Sequence, residues 1–280
     1  MHPDVVGFFD EETFTVSYAV ADPVTKSCAI IDSVLDFDPA SGRTNRRSAD
    51  RLLAHIAAQN LEVAWILETH VHADHLSAGD ILKAQFGAKL GIGEHVATVQ
   101  QTFGKLFNAG AGVARNGSQF DRLFKDADTF AIGDLTARVM HTPGHTPACV
   151  SYVIGDAIFV GDTLFMPDYG TARCDFPGGN PAQLYRSIRH IFELPLETRV
   201  FLCHDYKAPG RDEYRWETTV GEQRQKNVHI HDGISEAEFV AMRTERDKKL
   251  TMPKLILPAV QVNMDAGRLP QFLKIPVDAF

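Results

Sequence analysis

Cysteine is scarce in this chain of 280 residues. The four present, Cys28, Cys149, Cys174 and Cys203, stand far apart and form no CxxC pair. That excludes a disulfide-stapled scaffold and a thiolate zinc cluster, and it suits a reducing compartment. Positive charge is short as well: 28 Lys and Arg against 36 Asp and Glu leave a formal net charge of −8. Such a balance makes a poor grip on nucleic acid or an anionic membrane through bulk charge. No run approaches the roughly 20 apolar residues of a membrane span. Met1-His2-Pro3-Asp4 has neither the basic start nor the apolar stretch of a secretory signal. The expectation is a cytoplasmic protein with no membrane and no nucleic-acid partner. Repeats, low-complexity runs and Gly/Ser linkers are also missing, and the only change of texture comes near residue 210. An apolar fraction of 44% is enough for a sizeable core.

What is present alternates between β-like and helix-like segments. Residues 12–20 and 27–32 read as strands, and 61–67 as a strand covered on both faces. Ser48 is a candidate cap for a helix to about Asn60. A helix near 77–86, a strand near 88–92 and a helix near 94–103 follow, then a Gly-rich loop at 108–118. Gly155-Asp156 between apolar runs signals a two-residue hairpin. Residues 181–192 read as a helix, 199–203 as a strand, and 210–249 as polar and helix-prone. The last thirty residues carry Pro253, Pro258, Pro270 and Pro276 and read as an extended tail.

Histidine carries the chemistry. His70, His72, Asp74 and His75 form H-x-H-x-D-H directly after an apolar run. If the strand continues, positions 70 and 72 point to one side. Three imidazoles and a carboxylate this close suit a metal and are costly without one. His145 sits in a rigid Thr-Pro-Gly-His-Thr-Pro turn, Asp162 in Gly-Asp-Thr after a β-like run, and His204 in Cys-His-Asp-Tyr after another. Each ligand-type residue follows the end of a β-like segment, where layered α/β proteins assemble their sites.

This order of residues resembles the metallo-β-lactamase superfamily over roughly 12–210. The resemblance implies an α+β fold, an αβ/βα sandwich of two mixed sheets flanked by helices. It implies one domain over 1–280, with the core at about 12–210 and C-terminal helices and a tail at 211–280. Thr142–Cys149, Arg173-Cys174-Asp175-Phe176 and His204-Asp205-Tyr206 are similar to the persulfide dioxygenases, and Pro167–Gly179 to a bacterial β-lactamase-like hydrolase branch. The dioxygenase resemblance implies one Fe(II) per chain on His70, His145 and Asp162. The implied reaction takes glutathione persulfide, O₂ and water to sulfite and glutathione. His72, Asp74, His75 and His204 would then support the ligands, with His72 and Tyr206 acting near the reactants. The alternative, related to glyoxalase II, is a hydrolase of glutathione thioesters or other esters with two zinc ions. There His70, His72 and His145 hold one ion, Asp74, His75 and His204 the other, and Asp162 bridges. Ligand identity leaves both open. Arg173 is the implied glutathione anchor, with Tyr206 beside the persulfide and Arg224 a weaker candidate. Asp205 is expected to support its loop, and a homodimer is a further expectation. Cys174 reads as a small apolar residue.

Overall fold

Alternating apolar residues at 15–21 build the middle of the molecule, because both of their faces are covered. A computed structural model describes residues 2–109 and 113–278. The first half runs through β1 (Asp4–Asp10), β2 (Thr15–Ala21), β3 (Ser27–Ile31), β4 (Val34–Asp38), β5 (Arg43–Asn45), α1 (Arg47–Ala58), β6 (Glu62–Leu67), β7 (Leu76–Ser77), α2 (Gly79–Phe86), β8 (Lys89–Gly93), α3 (Val96–Leu106) and β9 (Arg122–Phe124). The second runs through β10 (Thr129–Ile132), β11 (Leu135–His141), β12 (Val150–Ile154), β13 (Ala157–Phe159), a 3-10 turn at Gly161–Thr163, α4 (Pro181–Ile191), β14 (Arg199–Phe201), β15 (Glu217–Thr219), α5 (Val220–Lys226), α6 (Glu236–Asp247) and α7 (Ile256–Asn263).

The strands form two six-stranded sheets, β1-β2-β3-β6-β8-β9 and β10-β11-β12-β13-β14-β15, plus a small β5-β4-β7 sheet. Both large sheets are mixed: β3, β6, β8 and β9 run parallel, as do β13 and β14. Between the sheets lies a core of Val16, Tyr18, Val20, Ile31, Tyr152 and Phe159, among others. A second core joins the outer face of the first sheet to α1, α2, α3 and α7, and a third joins the second sheet to α4, α5 and α6. The sandwich expected from the resemblance is the fold observed. β15 adds an edge strand to the second sheet, so the region beyond 210 continues the body.

Four local expectations are corrected. Ser48 lies inside α1 and caps nothing; the Asp36 carboxylate of β4 accepts from its backbone N–H at 2.8 Å instead. His70 and His72 lie in a loop after β6 and not on a continued strand. The N-terminal strand β1 precedes the first one anticipated. The tail is partly helical: α7 buries Ile256, Ala259, Val260 and Val262. Pro258 sits in its first turn, where backbone N–H groups have no helical partner to lose. The Gly-rich stretch at 108–118 falls partly outside the described residues. Its described positions belong to no helix or strand.

Candidate metal centre

Strand ends deliver every ligand-type side chain to one edge of the sandwich. The loop after β6 brings His70, His72, Asp74 and His75 from the first sheet. The turn after β11 brings His145, the 3-10 turn after β13 brings Asp162, and the segment after β14 brings His204. Backbone bonds from Val16 N–H to the Cys203 carbonyl (2.7 Å) and from Asp205 N–H to the Phe14 carbonyl (3.2 Å) stitch that last segment to β2. A glycine lets the Asp162 turn come close: a Cβ at Gly161, with φ of 52°, would meet Thr69 Oγ1 at 2.5 Å.

Each histidine is held by one ring nitrogen. His145 Nδ1 lies 2.8 Å from the Arg173 carbonyl and His204 Nδ1 3.2 Å from the Phe14 carbonyl. A carbonyl only accepts, so both rings carry their proton on Nδ1. His70 Nδ1 lies 3.0 Å from Thr69 Oγ1, whose own proton goes to Asp32 Oδ2 at 2.8 Å. His72 is turned the other way, with Nε2 2.9 Å from Asp32 Oδ1. His75 Nδ1 lies 3.3 Å from Thr15 Oγ1.

The opposite nitrogens are left over. His70 Nε2, His72 Nδ1, His75 Nε2, His204 Nε2 and Asp162 Oδ1 are buried without a hydrogen-bond partner among the described residues. His204 Nε2 stands 3.0 Å from Asp74 Oδ2 and 3.2 Å from Asp162 Oδ1, close contacts without hydrogen-bond geometry to either. Five orphaned polar atoms converging at one place are costly unless a cation takes them. The donors fall into overlapping groups, since Asp162 also lies with His204 and Cys203, and His72 with Asp32 and Glu68; two of the groups carry most of the histidines. One is His70, His145 and Asp162; the other is His72, Asp74, His75 and His204. In the first, Asp162 Oδ2 lies 3.8 Å from His70 Nε2 and 3.6 Å from His145 Nε2. These residues fit a metal.

Protonation agrees with that fit for His70, His75, Asp74 and Asp162. Burial and the neighbouring His72 push His70 and His75 below the usual histidine value, so both stay neutral donors. Burial opposes charge on His72 too, but Asp32 and Glu68 outweigh it and raise the ring to about 10. Burial would lift Asp74 and Asp162, yet His204 beside them holds both well below the carboxylate range. Neutral imidazoles and ionised carboxylates are the states a metal ligand needs. Burial opposes charge on His204 as well, but Asp162 and Asp74 outweigh it and raise that ring. His204 and His72 must therefore each give up a proton to ligate.

Sequence reasoning missed Asp32. It follows β3, adopts φ of 50°, and accepts from Thr69 N–H (2.8 Å), the Thr69 hydroxyl and His72. One carboxylate thereby orients two metal-type histidines. A lone aspartate after a strand carries no motif that would have marked it.

Above the donors opens a cleft of about 660 Å³. Phe14, Phe165, Tyr169, Phe176 and Tyr206 line it, along with several cations. Tyr206 is 36% exposed and stacks on His204 with ring centroids 5.5 Å apart. Arg173 also lines the cleft, but its fork is engaged: Nε and Nη2 each lie 2.6 Å from Asp175, and Nη1 lies 2.7 Å from the Thr251 carbonyl. Arg243 is buried against Asp247 and the Thr171 carbonyl. The cleft cations whose side chains lack a hydrogen-bond or ion-pair partner among the described residues are Arg246 and Lys254. Arg224 pairs with Asp232 and lines a different hollow, with Arg189 and Phe192. It is not among the residues around the metal cleft. Asp205 holds Arg211 and accepts from the backbone N–H groups of Lys207 and Arg215. Cys174 is buried and its thiol pushed well up by burial.

Comparison with known proteins follows the same line. The sequence profile of the metallo-beta-lactamase superfamily matches residues 11–204. A probable metallo-hydrolase of Burkholderia pseudomallei is 56% identical, over 98% of this chain and 99% of its own. Glyoxylase B2 of Dictyostelium discoideum is 49% identical, over 97% of this chain and 96% of its own. The mitochondrial persulfide dioxygenase ETHE1 of Homo sapiens is more distant, 28% identical over 92% of this chain and 87% of its own. Of some other curated relatives the chain spans only 65% of the length. The crystal structure of ETHE1 from Myxococcus xanthus superimposes with a TM-score of 0.75 at 31% identity, covering 95% of this chain and 100% of that one. Among the described residues no helix is long and apolar enough to cross a membrane.

Proposed function

The chain belongs to the metallo-β-lactamase superfamily, and from that premise we propose that it is an iron-dependent persulfide dioxygenase. Its reaction in this reading takes glutathione persulfide, O₂ and water to sulfite and glutathione. The observation that carries the proposal is the compact group of His70, His145 and Asp162, two histidines and one carboxylate without His72. That donor set is suited to Fe(II) with coordination positions left open. Iron held there would supply the spin chemistry by which triplet O₂ reacts with sulfur.

The chain's own residues supply the rest. Arg173 and Asp175 form the fork that braces the cleft wall against Phe176, 4.8 Å from the guanidinium. Arg246 and Lys254 offer two unengaged cations to the two carboxylates of glutathione. Tyr206, whose hydroxyl has no partner among the described residues, is placed at the mouth to orient the persulfide. His72, its Nε2 tied to Asp32 and its ring 4.1 Å from that of His70, is placed to hold a proton beside the reactants.

The second donor group favours a second reading. Asp74, His75 and His204 could hold another ion, with Asp162 between the two, as a dinuclear zinc hydrolase of glutathione thioesters requires; His72, which the resemblance assigns to the first ion, groups here with the second set. The hydrolase and glyoxylase names of the more similar relatives lean the same way. Elemental analysis of anaerobically purified protein, paired with oxygen uptake on the same sample, separates the two. About one iron per chain with persulfide-dependent uptake is the expected result. Two zinc ions per chain, no uptake after iron reconstitution, and thioester cleavage would overturn it.

A further inference from the structure

The loop from His70 to His75 belongs to no helix or strand, so its backbone lacks the bonds that would fix its shape. The missing partner comes from the far end of the chain. Asn263, the last residue of α7, is buried directly beneath that loop. Its Nδ2 donates to the His72 carbonyl at 2.9 Å and to the His75 carbonyl at 2.7 Å. Its Oδ1 accepts from Ser77 N–H, also at 2.7 Å. One amide side chain therefore uses both donors and its acceptor on three backbone groups of a six-residue span. Asp74, a member of the second donor group, lies between the two clamped carbonyls.

The helix carrying Asn263 is itself anchored. Val260 and Val262 are buried in the core shared with α1, α2 and α3. Gln100 of α3 donates to the Met264 carbonyl at 2.8 Å. Gly267, with φ of 84°, lets the chain after α7 press on the start of α2; a Cβ there would lie 3.1 Å from the Ser77 carbonyl. The amide is thus presented from a rigid base, not from a swinging tail.

We propose that Asn263 is a positioning residue of the metal centre: its amide locks the His72–His75 backbone in the conformation that sets His72, Asp74 and His75 around the centre, as ligands of a second ion or as supports of the first. Its action runs through the loop and requires no contact with substrate. It holds whether the bound metal serves an oxygenase or a hydrolase. The chemistry of the clamp is specific. Aspartate has nearly the same shape and can still accept from Ser77, but it has no N–H to give the two carbonyls and sets a negative charge against them.

The test compares Asn263→Asp and Asn263→Ala with Val260→Ala, a control that removes packing from the same helix and leaves the clamp alone. Full-length chains are stripped of metal and titrated with Co²⁺, whose visible spectrum reports ligand geometry, and thermal melts are recorded without metal. Both Asn263 variants are expected to bind Co²⁺ at least tenfold more weakly, on the order of effects from groups that orient ligands, and to show an altered spectrum. Val260→Ala is expected to melt earlier while its Co²⁺ affinity and spectrum stay within twofold of the parent. Parent-like Co²⁺ binding in Asn263→Asp, or equal weakening in Val260→Ala, overturns the proposal. Failure of both Asn263 variants to fold while Val260→Ala folds would also overturn it, by assigning Asn263 to the stability of the chain.

Discussion

The floor of the cleft and its mouth are built on opposite principles. On the floor, each histidine of the H-x-H-x-D-H loop, together with His145 and His204, has one nitrogen pinned and leaves the other to a cation. All five rings are buried. At the mouth, Tyr206, Arg246 and Lys254 are exposed, and none has a hydrogen-bond or ion-pair partner for its side chain among the described residues. A floor with no spare freedom fixes the chemistry of the ion. A mouth with unengaged groups decides which molecule meets it. Substitutions in the two places should therefore fail differently.

The largest effect belongs to the floor. His70→Ala, His145→Ala or Asp162→Ala is expected to lose both bound iron and oxygen uptake; full iron content in all three would remove this group as the binding set. Asp32→Asn comes next. It keeps the shape but weakens the hold on Thr69 and His72, and metal affinity is expected to fall roughly 10–100-fold. Chelator competition on the purified variant measures this, and an unchanged affinity would make Asp32 a bystander. At the mouth, Arg246→Ala and Lys254→Ala are each expected to raise KM for glutathione persulfide about fivefold, near 1 kcal/mol for an exposed charge pair. Metal content and kcat stay close to parent. A fall in kcat at constant KM would contradict a role in uniform substrate binding.

The smallest effect concerns the wall between them. His229 Nδ1 accepts from Thr171 N–H at 3.0 Å, which needs the ring unprotonated. Burial first, then Arg243 and Arg246, hold it down to about 3. In the unfolded chain a histidine titrates near 6.5. The unfolded state therefore binds more protons between about 6.5 and 3, and stability drops as pH falls through that window. His229→Gln is expected to flatten this part of the acid-denaturation profile; an unaltered slope would show that the ring contributes nothing there.

Much of this floor could be read from sequence because its chemistry is dense. Three histidines and an aspartate lie within six positions, and His145, Asp162 and His204 each follow a β-like run. Those runs are the strand ends that meet at one edge. The paired sheets came from the resemblance: the β-like runs 12–20 and 61–67 are compatible with them but do not establish them, and of β6 only Ile66 and Leu67 are fully buried. Asp32 was not legible, since its role depends on β3 lying beside β6 with Ile31 opposite Leu67. Arg173 is a case of its own. The resemblance implies a glutathione anchor there; in the structure Asp175, two residues later, takes its fork. The prolines near the C-terminus hid α7, because a proline in a first turn does not break a helix.

The donors come from both halves of the sandwich, and that has a consequence beyond reactivity. An ion held by His70 and His145, or by His75 and His204, is a reversible cross-link between segments far apart along the chain. Like any cross-link, it withdraws conformations from the unfolded ensemble by closing long loops. It also favours the folded state by mass action, more so as free metal rises above its dissociation constant. Metal supply then sets the lifetime of the protein along with its activity. A molecule starved of its ion opens more often, and in a cell an opened chain is the one that proteases remove.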